Sequence, residues 1–156
     1  ADAAVVRSGR DGVTQVYFSE ARQADDVLRL ALEAAQLPTD DLGGRNQMFF
    51  SLSDDDGLIG FVGLEGDGAD RLLRSLVVLP TRRGQGYGRM LVERLERVAD
   101  GTVERLHLLT NGSAEFFRGL GYVDADRDAA PAFIAATAQF TSLCGPRATY
   151  LVKDLG

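Results

Sequence analysis

The spacing of apolar residues divides the chain into alternating strands and helices. Short runs rich in β-branched and aromatic residues predict about seven strands, and apolar residues that recur every three or four positions predict helices between them. The predicted strands cover residues 13–18, 48–52, 58–64, 72–79, 106–109, 122–123 and 148–152. After a first helix that follows residues 13–18, further helices are predicted at residues 88–99, 114–120 and 131–140.

The first helix is defined by one apolar face. This face carries Val27, Leu30, Ala31 and Ala34. Ser19 is predicted to cap the N-terminus of this helix, since a serine side chain can accept from the free N–H groups there. Pro38 ends the pattern, so residues 38–42 are predicted to form a turn or a second short helix.

The order of these elements indicates the fold class. A meander of strands comes first, and an acidic turn at residues 54–57 joins two of them as an antiparallel hairpin. Strands and helices then alternate, which predicts an α+β fold with one mixed sheet between helices in a sandwich-like arrangement, not a doubly wound sheet. The length of 156 residues and the absence of a linker or repeat predict a single domain over residues 1–156.

The composition argues against several classes of protein. The net charge of −6 disfavours nucleic acid and anionic membranes as partners, and no apolar run reaches the length of a membrane span. We expect no disulfide and no metal site, because Cys144 and His107 are the only residues of their types. No secretory signal is visible, so we expect a cytoplasmic protein.

The choice of charged residues is unusual. Lys153 is the only lysine, the other strong bases are arginines, and aspartate dominates the acids. An acidic surface with little lysine remains hydrated in concentrated salt, which indicates a halophilic source. A genome rich in G and C favours the same residues, and the sequence does not separate the two explanations.

A glycine-rich segment between a strand and a helix carries the clearest chemistry. It reads Leu76-Val-Val-Leu-Pro-Thr-Arg-Arg-Gly-Gln-Gly-Tyr-Gly-Arg89. Alternate glycines allow a tight bend that aims several N–H groups at one point, and the following helix adds the positive end of its dipole. Arg82, Arg83 and Arg89 add charge, so the segment predicts a cradle for a pyrophosphate. The competing interpretation is an ordinary tight turn.

Two common nucleotide-binding motifs fit this loop poorly. A Walker loop ends in Gly-Lys-Ser/Thr, and this loop contains no lysine. A dinucleotide fingerprint has the spacing Gly-x-Gly-x-x-Gly after the first strand of a βαβ unit, whereas this loop reads Gly-x-Gly-x-Gly after a strand meander. Both nucleotide interpretations are therefore disfavoured.

The loop and the strand before it resemble the acetyl-CoA-binding segment of the GCN5-related N-acetyltransferases (GNAT family). Residues 76–80 match the family's strand pattern Leu-x-Val-x-Pro, and residues 83–88 match its loop pattern Arg/Gln-x-x-Gly-x-Gly/Ala. The order of elements agrees from about residue 13 to residue 152. The resemblance implies a GNAT fold splayed between the fourth and fifth predicted strands, and acetyl-CoA as co-substrate. Dimers are common in the family, so a homodimer remains open here.

The resemblance also implies which residues hold the co-substrate. The main chain of Leu76, Val77 and Val78 is expected to pair with the pantetheine arm like an added strand. Contacts to the pyrophosphate are expected from Arg83, Gly84, Gln85, Gly86, Tyr87, Gly88 and Arg89. Thr110 or Asn111 stands where the family often has an asparagine that touches pantetheine.

Within the family, the chain is similar to the acetyltransferases associated with arsenic-resistance operons. The matching stretches are residues 37–42, 62–65, 72–76, 108–110, 116–117 and 139–144. The association is with a gene neighbourhood, so it implies a subgroup without fixing the acceptor.

Three polar residues near the predicted co-substrate strand are candidates for the chemistry. Glu65 is the leading candidate for the base, and burial is expected to raise its pKa; a solvent-exposed turn residue is the alternative. Arg74 is a candidate for binding a substrate carboxylate or other oxyanion, and Ser75 for a catalytic hydrogen bond. Strand alternation predicts that only one of these two faces the substrate cleft.

Four other residues attract attention for their chemistry. The resemblance places Phe117 where the family's usual general acid is a tyrosine, so water, another residue or no acid at all is expected to serve the thiolate. Tyr122 and His107 are interpreted as packed strand residues. Cys144 is interpreted as a small buried apolar residue, with a weak thiolate site for trivalent arsenic as the alternative.

These observations predict an acetyl-CoA-dependent N-acetyltransferase that acts on a small, amino-acid-like amine by direct transfer from the thioester. Phe117 supports a second hypothesis, a non-catalytic acyl-CoA sensor that kept the cradle and lost turnover. A dinucleotide-binding module is the third and weakest hypothesis. The sequence does not separate free amino acids, their phosphinic or arsenical analogues, polyamines and protein termini as acceptors.

Overall fold

One mixed sheet of eight strands runs through the part of the chain that the computed structural model describes, namely residues 2–8, 12–21, 26–37, 39–44, 46–137, 139–140 and 147–155. In chain order the strands are β1 (Asp2–Ser8), β2 (Gly12–Ala21), β3 (Gln47–Asp54), β4 (Gly57–Glu65), β5 (Asp70–Val78), β6 (Arg105–Thr110), β7 (Val123–Asp124) and β8 (Thr149–Asp154). Their order across the sheet is β1-β2-β3-β4-β5-β6-β8-β7. Neighbouring strands run antiparallel except β5 and β6, which are parallel.

Four α-helices are present in the same described residues. They are α1 (Asp26–Ala34), α2 (Tyr87–Ala99), α3 (Ala114–Arg118) and α4 (Ala132–Ala135). The longest, α2, buries Leu91, Val92, Leu95 and Ala99, which recur at the helical period. These side chains share one core cluster with apolar residues of β2, β3 and β4, so α2 is fixed against the middle of the sheet.

Helices cover both faces of the sheet. On one face, α1 buries Leu28 in a cluster with Phe49 of β3. Phe50, the next residue of β3, belongs to the cluster that contains α2, because successive side chains of a strand point to opposite faces. α4 buries Ile134 in a third cluster with residues of β5 and β8. The sheet is therefore the middle of three layers.

A β-bulge interrupts the pairing of β4 with β5. The register shifts between Phe61 and Gly63, so two residues of β5, Ser75 and Leu76, lie opposite the single residue Val62. Ser75 has a φ of 59°, in the left-handed region that non-glycine residues rarely adopt. The bulge breaks the regular alternation of side chains along β5.

The parallel strands β5 and β6 are joined over a short length. Asp70, Arg71 and Leu72 face residues 105–107, and the pairing extends no further along these two described strands. Residues 73–78 of β5 and 108–110 of β6 therefore diverge. The gap between them is the position of the site described below.

The predicted fold class is confirmed as α+β, with one mixed sheet that separates between the strands at residues 70–78 and 105–110. The structure adds β1 to the strands expected from the sequence. This strand begins Asp2-Ala-Ala, and these residues lack the β-branched and aromatic side chains on which the strand prediction depended.

The prediction for the first helix was wrong in two respects. Ser19 lies inside β2 and does not cap a helix, and α1 begins at Asp26. Val27 and Leu30 are 52% and 64% exposed, whereas α1 buries its face through Leu28, Ala31 and Leu32. Two sets of apolar residues in this segment each follow the helical period, and contact with the sheet buries the set Leu28, Ala31 and Leu32.

Other boundaries are shorter than predicted. The helix expected at residues 131–140 is α4, of four residues, and the one expected at residues 114–120 ends at Arg118. Pro38 and Cys144 lie outside the described residues, so the interpretations of both stay predictions. None of the helices in the described ranges is long and apolar enough to cross a membrane.

Candidate functional site

A cavity of about 370 Å³ lies in the gap between β5 and β6. Residues 73–76 of β5 form one wall, and residues 108–110 of β6 form the other. Phe117 of α3 and residues 35–37, which follow α1, complete much of the lining. The divergence of the two parallel strands thus leaves this cavity beside the polar residues Arg74 and Ser75 of β5.

The glycine-rich loop lies between β5 and α2. Gly84 and Gly86 have φ values of 78° and 83°, and a Cβ atom at either position would have nothing within 4 Å. Gly86 precedes α2 as its N-cap and provides no side chain to cap the helix. Among the described residues, none accepts a hydrogen bond from the main-chain N–H groups of residues 86–89. These four donors at a helix N-terminus are therefore available to an anion.

The three arginines of the loop have different surroundings. Arg82 donates to both carboxylate oxygens of Asp54 at 2.7 and 2.8 Å, and its hydrogen bonds hold the pKa of Asp54 below the ordinary value. Arg83 donates from Nε to the Val78 carbonyl at 3.0 Å, and Arg89 donates to Glu93 at 3.2 Å. Asp54 balances the charge of Arg82, so the predicted contribution of Arg82 to a phosphate stays a prediction. Arg83 and Arg89 are exposed beside the loop.

The end of β5 presents main-chain groups to the gap. Leu79 donates its N–H to Ile59, so alternation of the antiparallel ladder turns the N–H and carbonyl of Val78 away from β4. Leu76 lines the cavity, while the Val77 side chain is buried in the cluster under α1. The predicted pairing of residues 76–78 with a pantetheine arm stays a prediction.

Arg74 forms a buried ion-pair network beside the cavity. Its Nη1 and Nη2 atoms donate to Asp41 at 2.5 and 2.7 Å, and Nη1 also donates to Glu65 at 2.7 Å. Its Nε donates to the Ser75 hydroxyl at 3.1 Å, and the guanidinium lies 5.6 Å from the centre of the Phe49 ring. Burial lowers the pKa of Arg74, but the two carboxylates outweigh it and the net pKa lies above its ordinary value.

This network changes the interpretation of the three catalytic candidates. Arg74 and Ser75 are both among the residues that line the cavity, and the β-bulge at Ser75 removes the regular alternation on which the expectation of one facing side chain rested. The Arg74 side chain is 1% exposed, so that expectation stays a prediction. Glu65 is buried at the end of β4, is paired with Arg74, and is not among the residues that line this cavity. Its role as a base stays a prediction.

The remaining predicted residues surround the far wall. Thr110 and Asn111 both line the cavity, and the Thr110 hydroxyl accepts from the Ser113 N–H at 3.1 Å. Phe117 is buried, lines the cavity and packs edge-on against Tyr122 at 5.6 Å. The alternatives Thr110 and Asn111 therefore both stay open.

Tyr122 and His107 lie in buried hydrogen-bonded positions, as interpreted. Tyr122 donates to Glu96 at 2.9 Å, and burial raises its pKa well above the ordinary range. His107 lies 2.7 Å from Asp70 through Nε2 and 2.6 Å from the Tyr150 hydroxyl through Nδ1. Both residues are at most 2% exposed, so neither is placed to act on a ligand in the cavity.

Sequence reasoning missed Asp41 as part of the site. It lies in a turn after α1, 33 positions before the arginine that it binds. One acidic residue, the exposed Asp40, adjoins it, and nothing in the local pattern distinguishes the two. Only the three-dimensional arrangement brings Asp41 to β5.

Comparisons with known proteins agree with this arrangement. A family model described as an acetyltransferase (GNAT) domain matches residues 45–124, just over half of the chain. A comparison with curated proteins finds no match. The structure resembles N-acetylglutamate synthase from Neisseria gonorrhoeae in complex with coenzyme A and L-arginine, with a TM-score of 0.71 and 20% identity. That likeness covers 93% of this chain and 36% of the synthase, so the chain spans about a third of the synthase's length.

Two further solved structures are similar over nearly their whole length. Rv2747 from Mycobacterium tuberculosis, in complex with CoA and NLQ, has a TM-score of 0.69 and 18% identity, with 88% of this chain and 98% of that chain covered. An aminoglycoside 6'-N-acetyltransferase complexed with coenzyme A has a TM-score of 0.64 and 18% identity, with 90% and 97% covered. At these identities the likeness shows a shared fold.

Proposed function

Because the chain belongs to the GNAT acetyltransferase family, we propose that it transfers the acetyl group of acetyl-CoA to the nitrogen of a small amine. The GNAT fold predicted from the sequence is confirmed, and members of this family use acetyl-CoA as co-substrate. The acceptor and the residues that perform the chemistry are the parts of the proposal that go beyond family membership.

One observation carries the proposal. The main-chain N–H groups of residues 86–89, which have no acceptor among the described residues, lie at one end of the segment 76–89, and the cavity lies at the other end. The N–H groups of residues 86–89 suit the pyrophosphate of coenzyme A, since a helix N-terminus favours negative charge. Residues 76–78 lead from this loop to the cavity wall. A ligand with a diphosphate at one end and a thioester at the other matches that layout.

The chain's own side chains can support an acyl transfer in the cavity. Bound acetyl-CoA supplies an activated thioester: the amine nitrogen bonds to the acetyl carbon, the carbon–sulfur bond breaks, the amine loses a proton and the thiolate gains one. Ser75 lines the cavity, and its oxygen already accepts from Arg74, so its O–H is free to donate. Such a donor stabilises negative charge on an oxygen in the transition state.

Glu65 remains the proposed base. Asp41 pairs with both terminal nitrogens of Arg74, so Glu65 is not the only carboxylate that balances the guanidinium. Transfer from an amine in the cavity would pass through water, because Glu65 does not line the cavity. We expect Glu65→Gln to lower kcat about tenfold or more while acetyl-CoA binding is kept. An unchanged kcat would show that the amine proton goes elsewhere.

The proposed function is tested by an acceptor screen with thiol detection, run at low and at high salt. The expected result is saturable acetyl-CoA binding by calorimetry and CoA release that depends on one class of amine. Salt dependence also tests the halophilic interpretation of the acidic composition. Absence of both binding and release over a broad panel of amines would overturn the proposal.

A non-catalytic acyl-CoA sensor is the second candidate, and Phe117 is the observation that favours it. This side chain is buried in the cavity lining, at the position where the family's usual acid would stand, and it cannot donate a proton. The sensor interpretation predicts tight acetyl-CoA binding, no transfer to any amine and no effect of Glu65→Gln. The enzyme interpretation predicts turnover with Phe117 in place, because the CoA thiol is acidic enough to leave as a thiolate.

We propose an amino-acid-like acceptor, and Arg74 is the residue that supports it. Arg74 is the one charged residue among those that line the described cavity; Asp41 and Glu65 already balance its charge, so it would offer an acceptor carboxylate or other oxyanion a single remaining hydrogen bond and no net charge. The similarity of residues 72–76 to the arsenic-operon subgroup supports testing phosphinic and arsenical amino-acid analogues beside free amino acids. Polyamines, which lack an acidic group, are the control acceptors in the screen.

A further inference from the structure

Arg74 has five N–H donors, and the described chain occupies four of them. Asp41 takes one hydrogen from each terminal nitrogen, Glu65 takes the second hydrogen of Nη1, and Ser75 takes the Nε hydrogen. The second Nη2 hydrogen has no acceptor among the described residues. Of these three acceptors in the described residues, Asp41 alone binds both terminal nitrogens of the guanidinium, so it fixes the plane of the group.

The Arg74 side chain is closely packed by its neighbours. The Arg74 side chain is 1% exposed, and its stem passes over Gly63, where a Cβ atom would lie 3.1 Å from the Arg74 Cγ and 2.8 Å from the Phe49 ring. The Asp41 side chain is 13% exposed and closes the network from the turn after α1. Removal of its charge leaves the Glu65 carboxylate to balance the guanidinium, so the protein is still expected to fold.

We infer that Asp41 is a positioning residue. It orients the Arg74 guanidinium so that the Nε atom donates to the Ser75 oxygen, which leaves the Ser75 hydroxyl proton to donate toward the cavity. Ser75 sits at the β-bulge with a strained φ of 59°, and its oxygen accepts from Arg74, which directs its own proton elsewhere. Asp41 is not among the residues that line the cavity, and its side chain binds Arg74, so it acts through Arg74. The kinetic part of this inference rests on the proposed function, and the structural part does not.

The structural part is tested by NMR on protein labelled with ¹⁵N. The Arg74 Nε–H signal is identified by its loss in Arg74→Lys. We expect Asp41→Asn to shift this signal and speed its exchange with water, because the carboxylate no longer binds both terminal nitrogens of Arg74. Asp40→Asn, a change of the exposed neighbouring carboxylate, is expected to leave the signal unchanged. An Arg74 signal that is the same in Asp41→Asn and wild type overturns the inference, whatever the activity.

The kinetic part compares acceptor turnover in the same two variants and in a double-mutant cycle. Asp41→Asn is expected to lower acceptor kcat/KM about tenfold, with acetyl-CoA affinity within about twofold of wild type and Asp40→Asn like wild type. If Asp41 acts through Ser75, then Asp41→Asn added to Ser75→Ala costs little more. Full additivity of the two losses overturns the inference. If wild type turns over no acceptor at all, the proposed function fails and the NMR result alone decides.

Discussion

The main-chain carbonyl of Val78 accepts a hydrogen bond from the Nε atom of Arg83, at 3.0 Å. This contact ties the glycine-rich loop back to the last residue of β5. It also covers a carbonyl that points away from β4, into the gap where a pantetheine arm is expected to pair. Arg83 therefore has two opposed effects: it supplies charge near the proposed pyrophosphate, and it occupies an acceptor that the co-substrate would use.

We expect the charge of Arg83 to outweigh the occupied carbonyl. Arg83→Ala should weaken acetyl-CoA binding about threefold at low salt, as an exposed charge is worth at most about 1 kcal/mol. The difference from wild type should disappear near 1 M salt, where charges are screened within about 3 Å. Calorimetry at the two salt concentrations measures this, with Arg97→Ala at the other end of α2 as the control. Tighter binding by Arg83→Ala would instead show that the covered carbonyl matters more.

Gly86 gives a direct test of the amide cradle. Gly86→Ala places a side chain at a φ of 83°, a strain of about 1–2 kcal/mol, and relief of that strain rotates the N–H groups that begin α2. We expect about tenfold weaker acetyl-CoA binding. Gly101→Ala has a matched φ of 85° and equally open space, beyond the opposite end of α2. It should lose similar stability in urea unfolding and keep its affinity. Equal affinities in the two variants would contradict the cradle.

Asp54 gives a prediction for the dependence of stability on pH. Its pKa is lowered in the folded state, so its ion pair with Arg82 stabilises the protein above the ordinary carboxyl pKa and is lost as pH falls through the folded pKa. Asp54→Asn should therefore be about 1 kcal/mol less stable than wild type at pH 7, and the difference should shrink as the pH falls below the ordinary carboxyl pKa. Urea unfolding at pH 7 and at the lowest pH where wild type still unfolds cooperatively measures the difference. Asp55→Asn, in the exposed turn, should match wild type, and a constant difference at both pH values would contradict the prediction.

Gly60 tests how closely β4 and β5 approach each other. A Cβ atom there would lie 2.2 Å from the Val77 carbonyl oxygen, so Gly60→Ala must displace one of the strands that carry the site. We expect a loss of about 2–3 kcal/mol in the free energy of unfolding, together with weaker acetyl-CoA binding. Gly119→Ala, where the nearest atom is at 3.4 Å and the backbone is helical, should stay within about 0.5 kcal/mol. Similar losses in both variants would refute the steric argument.

Local features of this protein could be read from the sequence. The loop at residues 83–88 depends on glycines and on the strand and helix that flank it, and all of that information is contiguous in the chain. The central strands were predicted because their apolar runs are buried by the helices on both faces. The resemblance to the family, aligned on residues 117–122, placed Phe117 at the site.

Features set by contacts between distant segments could not be read in this way. The bulge at Ser75 depends on how β4 and β5 accommodate each other, and no turn residue marks it. Asp41, which binds Arg74, and Asp54, which binds Arg82, lie 33 and 28 positions away in the chain, so the sequence suggested phosphate or substrate contacts where the structure has ion pairs. The face of α1 was misread because two sets of apolar residues share one period, and only the sheet decides between them.

The short junction of β5 and β6 has a mechanical consequence. These strands meet at residues 70–72 and 105–107, where Asp70 binds Arg105 and His107 at 2.7 Å each. Beyond that junction β5 continues for roughly 20 Å beside β4, while β6 diverges from it. Asp70 bridges the two strands where they part, so its hydrogen bonds hold the angle from which the cavity widens, although none of the three bridging residues lines the cavity.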